Sequence, residues 1–188
     1  SASVKVASRL FPPFLRYHAV LRGRSMKCTR CKAHAVVALP SHNAAFCPEC
    51  FLDFFSKQVA KGIHEHKLMT KEDRVLVALS GGKDSLTLLY ALVNLQKFYP
   101  KHFDLVAITV DLGYEGFDLT GIQRLCKDLQ VEYHIINTTI GEMVTSDTLE
   151  GSACSLCARL RKGALTDAAK ELGCNKVAYG HHLDDVIE

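Results

Sequence analysis

The sequence has 188 residues, 48% of them hydrophobic and 23% charged, with a formal net charge of +3 at neutral pH. That is enough chain and enough apolar material for one α/β domain of ordinary size plus a small accessory module, and too mild a charge to argue for nucleic acid by itself. No apolar run approaches the roughly 18 residues needed to cross a bilayer, so no membrane partner is expected and a cytoplasmic location is.

Residues 1–25 are rich in arginine and contain Phe11-Pro12-Pro13-Phe14, through which a helix cannot run. Acidic residues are missing from the first 32 positions, where eight Lys or Arg stand. This stretch reads as a leader or nucleic-acid arm outside the fold. Residues 26–69 form the accessory module. Cys28-Thr-Arg-Cys31 and Cys47-Pro-Glu-Cys50 have the spacing of a four-cysteine zinc ribbon, in which two knuckles joined by a hairpin bring four thiolates around one Zn²⁺. His34 and His42 between the pairs are expected to be solvated loop residues. From Pro48 onward Phe51, Leu52, Phe54, Phe55, Val59 and Ile63 recur at helical spacing, a connecting helix with an apolar stripe.

Residues 70–188 alternate strands and helices. Val75 to Leu79 is a continuous apolar run, as in a strand buried on both faces of a parallel sheet. Ser80-Gly81-Gly82-Lys83-Asp84-Ser85 ends it, and Leu86, Leu88, Leu89, Leu92 and Leu95 then repeat as a helix. A strand, a glycine turn and a helix start make an anion site, because first-turn amides, the helix dipole and the Lys83 ammonium all favour a polyphosphate. Neither G-x-x-x-x-G-K-[ST] nor G-x-G-x-x-G fits this spacing. Further strands are expected at 103–110, 131–136 and 176–179, with helices at 119–129 and 156–172. The result is an α/β, doubly wound parallel sheet with ligand sites beyond the carboxyl ends of its strands. Three candidates fall there: Ser80 to Ser85, Asp111 to Gly113, and Gly180-His181-His-Leu-Asp184-Asp185. Asp111 can bind a ribose hydroxyl or a metal-bridged phosphate, or simply form a turn. Asp184 and Asp185 can cap a helix, hold Mg²⁺ or orient a base.

Cys154-Ser-Leu-Cys157-Ala-Arg159-Leu-Arg161-Lys162 is the second informative stretch. A C-x-x-C pair at the start of a helix lies where the dipole favours thiolates, and the basic residues beside it suit substrate phosphates or a developing oxyanion. Three such pairs in one nucleotide-binding chain point to metal or sulfur chemistry in a reducing compartment, not to a secreted disulfide framework. Cys126 and Cys174 stand alone and read as core.

Ser-Gly-Gly-Lys-Asp-Ser resembles the PP-loop, S-G-G-x-D-S, of the N-type ATP pyrophosphatases. Taken with Cys-Ser-Leu-Cys-Ala-Arg-Leu-Arg-Lys-Gly and Gly-His-His-Leu-Asp-Asp, it makes residues 26–188 resemble the tRNA 2-thiolation enzymes of the TtcA/TtuA group, the 2-thiocytidine and 2-thiouridine synthetases. The amino-terminal cysteines look like the 2-thiouridine branch, whereas Ser-Leu-Cys-Ala-Arg-Leu-Arg looks closer to the 2-thiocytidine branch. The resemblance implies a Rossmann-like, adenine nucleotide alpha hydrolase-like fold. It also implies ATP and Mg²⁺ on Ser80, Gly81, Gly82, Lys83, Asp84, Ser85, Asp111, Gly180 and His181, adenylation of a pyrimidine C2 oxygen, and sulfur transfer involving Cys154, Cys157, Arg161, Asp184 and Asp185. In that family the cysteine pair supplies two of three ligands to a [4Fe-4S] cluster, the third lying further downstream. This chain ends before it, so the carboxyl-terminal part of residues 70–188 is expected to be missing, unless Cys126 or Cys174 substitutes or the pair works as persulfide and disulfide. The implied partners are tRNA, a sulfur donor (a cysteine desulfurase, sulfide or a ubiquitin-like carrier) and a second copy in a homodimer. Two other readings are a carboxylate-amidating, NAD-synthetase-like enzyme and a non-catalytic zinc-bearing ATP/RNA-binding adaptor. Thiolation further requires the polyphosphate cradle and the cysteine pair to open onto one pocket.

Overall fold

The computed structural model describes the backbone of residues 19–20, 26–114, 118–145 and 153–181, and the side chains of these except 19–20, 143–145 and 153–154. The described residues divide into two units, one within Ser8–Leu68 and the other Met69–His181.

In the first unit β1 (Ala19–Val20), β2 (Val37–Leu39) and β3 (Ala44–Phe46) form an antiparallel sheet in that order, with Ala19 opposite Ala38 and Val37 opposite Phe46. The segment set aside as lying outside the fold thus contributes a strand. A 3-10 turn over Pro40–His42 and a left-handed Asn43 reverse the chain between β2 and β3. Next comes α1 (Pro48–Glu65), whose first position suits proline because no intrahelical bond needs its N–H. The helix buries Phe54, Val59 and Ile63, but Leu52 is 44% exposed. Two residues from Phe54 is about 200° around a helix, so Leu52 cannot share that stripe.

The second unit is built on four parallel strands: β4 (Asp73–Ala78), β5 (Phe103–Asp111), β6 (Glu132–Asn137) and β7 (Lys176–Tyr179), in the order β6-β5-β4-β7. Chain order runs outward from β4 to β6 and then jumps back to the far side of β4. Leu76, Val77, Val106, Ala107 and Ile108 are all fully buried, which requires cover on both faces of the sheet. One face carries Leu76, Val106, Ile108 and Val177 against Leu165 and Ala169 of α5 (Ala153–Glu171). Alternation along the strands and right-handed crossovers put α2 (Lys83–Gln96) and α3 (Thr120–Asp128) on the other face. The sheet is therefore doubly wound, as its strand-helix alternation predicts. The short α4 (Ile140–Thr145) was not foreseen: it has six residues, and Gly141 at its second position weakens the helical signal. Conversely α5 starts at Ala153, three residues earlier than its apolar pattern indicates, because nothing between 153 and 162 breaks a helix.

The amino ends of the strands are held by Asp73, which is 2% exposed. Its carboxylate takes an ion pair from Lys176, a 2.8 Å bond from the Thr70 hydroxyl and another of 2.8 Å from the Asn175 amide. Burial pushes its pKa up, but Lys176, Thr70 and Asn175 outweigh this and bring it down to about 2. A depressed carboxylate pKa contributes stability above the unfolded-state value, and the contribution is lost as pH falls toward the folded value. Asp73→Asn should therefore cost about 2 kcal/mol in urea unfolding at pH 7. The gap between variant and parent should close from about pH 4 down to pH 2; a gap of the same size at pH 2 would mean the charge contributes nothing.

Candidate functional site

The carboxyl end of β4 runs into a turn that folds upon its own serines. Ser85, 4% exposed, is the hub: its Oγ accepts from the Ser80 amide at 3.2 Å, donates to the Gly82 carbonyl at 2.9 Å and lies 3.3 Å from Ser80 Oγ. The Gly82 amide turns inward to Ser80 Oγ at 3.4 Å. Gly81 takes φ +80°, a conformation costly for any residue with a side chain. Gly82 is the N-cap of α2, and no side chain caps this helix. Its positive end is left for a ligand. Lys83 reaches over this end, highly exposed, with Nζ 3.1 and 3.2 Å from the two Asp84 oxygens.

Two other loops meet the same edge of the sheet. The Asp111 carboxylate accepts the Gly113 amide at 2.9 Å, which makes a turn, and its carbonyl accepts the Thr138 amide at 2.9 Å and hydroxyl at 2.7 Å. One Asp111 oxygen is thus engaged in shaping the loop. After β7, Gly180 presses on the start of α2: a Cβ there would stand 2.8 Å from Ser85 Cα and N and 2.9 Å from the Asp84 carbonyl carbon. His181 stacks parallel on Tyr179, with ring centroids 5.5 Å apart. The turn and Gly180 flank β4 and β7, where the strand order reverses, the place at which open α/β sheets bind ligands.

At the start of α5, Cys154 is the second helical residue and Cys157 follows one turn on. Arg161, a further turn along, brings Nη2 to 3.8 Å from Cys157 Sγ, while its Nε is buried without a partner among the described residues. A guanidinium held beside a sulfur can steady a thiolate or an attacking sulfur anion. Cys157 packs with Leu112, Ile136 and Leu160 against the α5 face of the sheet. The cysteine helix and the phosphate-turn helix both begin at the carboxyl edge, but they cover opposite faces, because the chain reverses direction between β6 and β7. Asp184 and Asp185 lie outside the described residues. Cys126 is buried on α3, and Cys174 lies in the turn after the far end of α5, roughly 20 Å along the helix from Cys157, so neither supplies a third sulfur beside the pair.

A PP-loop domain model matches residues 53–188. The chain belongs to the PP-loop family. A second model, described as the N-terminal LIM domain of 2-thiouridine synthetase TtuA, matches residues 27–52. The chain is 43% identical over 131 residues to a tRNA-cytidine(32) 2-sulfurtransferase of Geobacter metallireducens, covering 69% of this chain and 51% of that protein. The counterpart from Deinococcus radiodurans is 42% identical over 133 residues, 70% of this chain and 44% of that protein. The chain thus spans about half the length of the curated relatives it matches. Its PP-loop fold is also similar to the structure of U34-tRNA thiolase NcsA from Methanococcus maripaludis with its [4Fe-4S] cluster. That likeness has a TM-score of 0.70 at 30% identity and covers 86% of this chain and 55% of the other.

Away from the PP-loop, the first unit brings Cys28, Cys31, Cys47 and Cys50 together with their sulfurs all within 4.8 Å of one another. Tetrahedral coordination with bonds of about 2.3 Å sets sulfurs roughly 3.8 Å apart, so the four fit a soft divalent ion with little adjustment. Turn geometry makes the first pair: the Lys32 amide bonds the Cys28 carbonyl at 3.0 Å, and Thr29 ties the turn to Ala45 of β3 through its amide at 2.8 Å and its hydroxyl at 2.9 Å. Cys47 is the N-cap of α1, and Cys50 lies in its first turn. The backbone amide of Cys31 leads in lowering the Cys28 thiol to about 6, whereas the Cys50 thiol is pushed up to about 12, first by its bond to Cys47 and then by burial. Without an ion the cluster favours a thiolate at Cys28 and disfavours one at Cys47 and Cys50. His34 and His42 are exposed, as expected of loop residues. No helix among the described residues is long and apolar enough to cross a membrane.

Proposed function

We propose that the protein acts in ATP-dependent 2-thiolation of a tRNA pyrimidine. ATP lies with its phosphates on Ser80 to Ser85, Lys83 exchanging its Asp84 partner for phosphate oxygens, and with Asp111, Gly180 and His181 around the nucleotide. Asp111 would help to hold Mg²⁺ with the phosphates, and so would Asp184 and Asp185 of the following segment, the ion neutralising phosphate charge. The C2 oxygen of the base attacks the α phosphorus and pyrophosphate leaves. Sulfide from the sulfur donor, presented at Cys154 and Cys157, then attacks C2 as a nucleophile, Arg161 steadying the anion, and AMP departs with the original oxygen to leave C2 bonded to sulfur. Zn²⁺ on Cys28, Cys31, Cys47 and Cys50 is structural, and the basic module around it docks tRNA.

One observation carries this reading: an uncapped helix start built for a polyphosphate shares a sheet edge with a thiol that touches a guanidinium. A carboxylate-amidating enzyme has no use for the second of these, and neither has an adaptor that only binds ATP and RNA. Residues 27–52 match a model named for a 2-thiouridine synthetase, while relatives matched over 70% of the chain are named cytidine-32 sulfurtransferases. Either pyrimidine is therefore a candidate substrate.

The test is pyrophosphate release with and without added tRNA, followed by nucleoside analysis. Cys157→Ser should keep tRNA-dependent pyrophosphate release and lower thiolated nucleoside about a hundredfold or more. ATP-dependent pyrophosphate release without thiolated nucleoside, unchanged in the doubly substituted Cys154→Ser, Cys157→Ser protein, would leave the amidating rival standing. Pyrophosphate release indifferent to tRNA would sink the thiolation reading.

A further inference from the structure

Next to Cys157 lies a cavity that ATP chemistry does not occupy. It is about 550 Å³, within the usual range for small-ligand sites, and is lined by Asn137, Thr138, Thr139, Ile140 and Leu160. Leu160 is three residues on from Cys157, so the two side chains are neighbours on one helix face. Both pack with Ile136 and Leu112 against the cluster that contains Ile140. The cavity and the thiol therefore adjoin.

The polar wall is rigid where it must be and free where it can be used. Both bonds from Thr138 to the Asp111 carbonyl, together with a 2.8 Å bond from the Gly141 amide to the Leu112 carbonyl, fasten the end of β6 to the end of β5. The Asn137 carboxamide and the Thr139 hydroxyl, by contrast, are on exposed residues and have no hydrogen-bond partner among the described residues. Leu160 and Ile140 offer apolar contact to the faces of a flat ring. Asn137 offers one acceptor and two donors to its edge. Cytosine presents an acceptor at N3 and a donor at N4, uracil the reverse at N3 and O4, and one carboxamide turned over pairs with either.

We propose that this cavity receives the pyrimidine base of the RNA substrate, with Asn137 reading the N3–C4 edge so that C2 faces Cys157. The inference rests on the thiolation reading and adds to it a base pocket and a residue that orients the base within it. The probe is short single-stranded RNA with one 5-iodouridine or 5-iodocytidine, photo-crosslinked to the full chain and mapped by peptide mass spectrometry. Crosslinks should fall within 137–140 and at 160. Leu160→Trp, which fills the cavity, should lower their yield about tenfold while affinity for a fluorescent ATP analogue stays the same. Asn137→Asp changes an exposed side chain and leaves the core intact. It should lower iodocytidine and iodouridine crosslinking alike, about tenfold, because a carboxylate accepts from the one donor on the N3–C4 edge of either base and repels the one acceptor, whereas a carboxamide pairs with both. An asparagine with a purely structural role would leave both yields unchanged. Crosslinks elsewhere, or yields unmoved by both substitutions, would overturn the pocket. RNA that failed to bind the unaltered chain would remove the thiolation reading itself, and the pocket with it.

Discussion

Gly180→Ala should weaken ATP binding about a hundredfold, measured by isothermal titration with a non-hydrolysable analogue. The new methyl would sit 2.8 Å from two backbone atoms of Ser85, closer than real Cβ contacts come. Backbone cannot rotate aside as a side chain can. Either β7 or the first turn of α2 must shift, and the second option pulls Ser85 away from Ser80 and Gly82 and so opens the cradle. Overpacking of this kind costs about 1–3 kcal/mol, so a lower unfolding midpoint should accompany the lost affinity. Gly163 provides the control: it lies within α5, with nothing within 4 Å of its would-be Cβ. Gly163→Ala should leave ATP affinity alone and stabilise by about 0.5–1 kcal/mol. Equal affinities for the two variants would show that Gly180 does not shape the ATP site.

Replacement of Cys28 or Cys47 by serine should lower Zn²⁺ affinity on the order of a thousandfold, read as metal per chain after gel filtration against a competing chelator. Cys28 is fully buried and packed with Leu39, Phe46 and Phe54, so an ion held there would form one structure with the small apolar cluster. Loss of metal should free β2, β3 and the start of α1 to proteolysis within residues 26–55, while hydrogen exchange in β4 and β5 changes little. A zinc-free protein with full protection over residues 26–55 would assign the fold of this module to its apolar contacts alone.

Much of this was legible in the sequence, and the reasons differ by element. The β4 run and the glycines after it signal a buried strand and a turn by chemistry that few other contexts need. The four amino-terminal cysteines carry their geometry in their spacing. Other features were not legible. The placement of the two reactive ends on opposite faces follows from where β7 inserts, and strand order is fixed by packing between distant segments that periodicity does not report. α4 was missed because one turn of helix containing a glycine gives no repeat. Asn137, Thr139 and Leu160 were missed as well, since an asparagine ending a strand and a leucine in an apolar helix are ordinary there. Gly180 was singled out from its motif, but its near-contact with Ser85 belongs to the folded chain.

In the proposed reaction the sheet's rim, with the triphosphate at the start of α2 and the thiol at the start of α5, would work as a partition. A sulfur nucleophile free to meet bound ATP would squander it, and in this architecture such an encounter has to pass around the carboxyl edge. In the proposed reaction the travelling member is the nucleobase, activated at one station and substituted at the next. Only a nucleotide unstacked from its neighbours can make that swing, which favours loop residues of a folded RNA over those locked in a duplex.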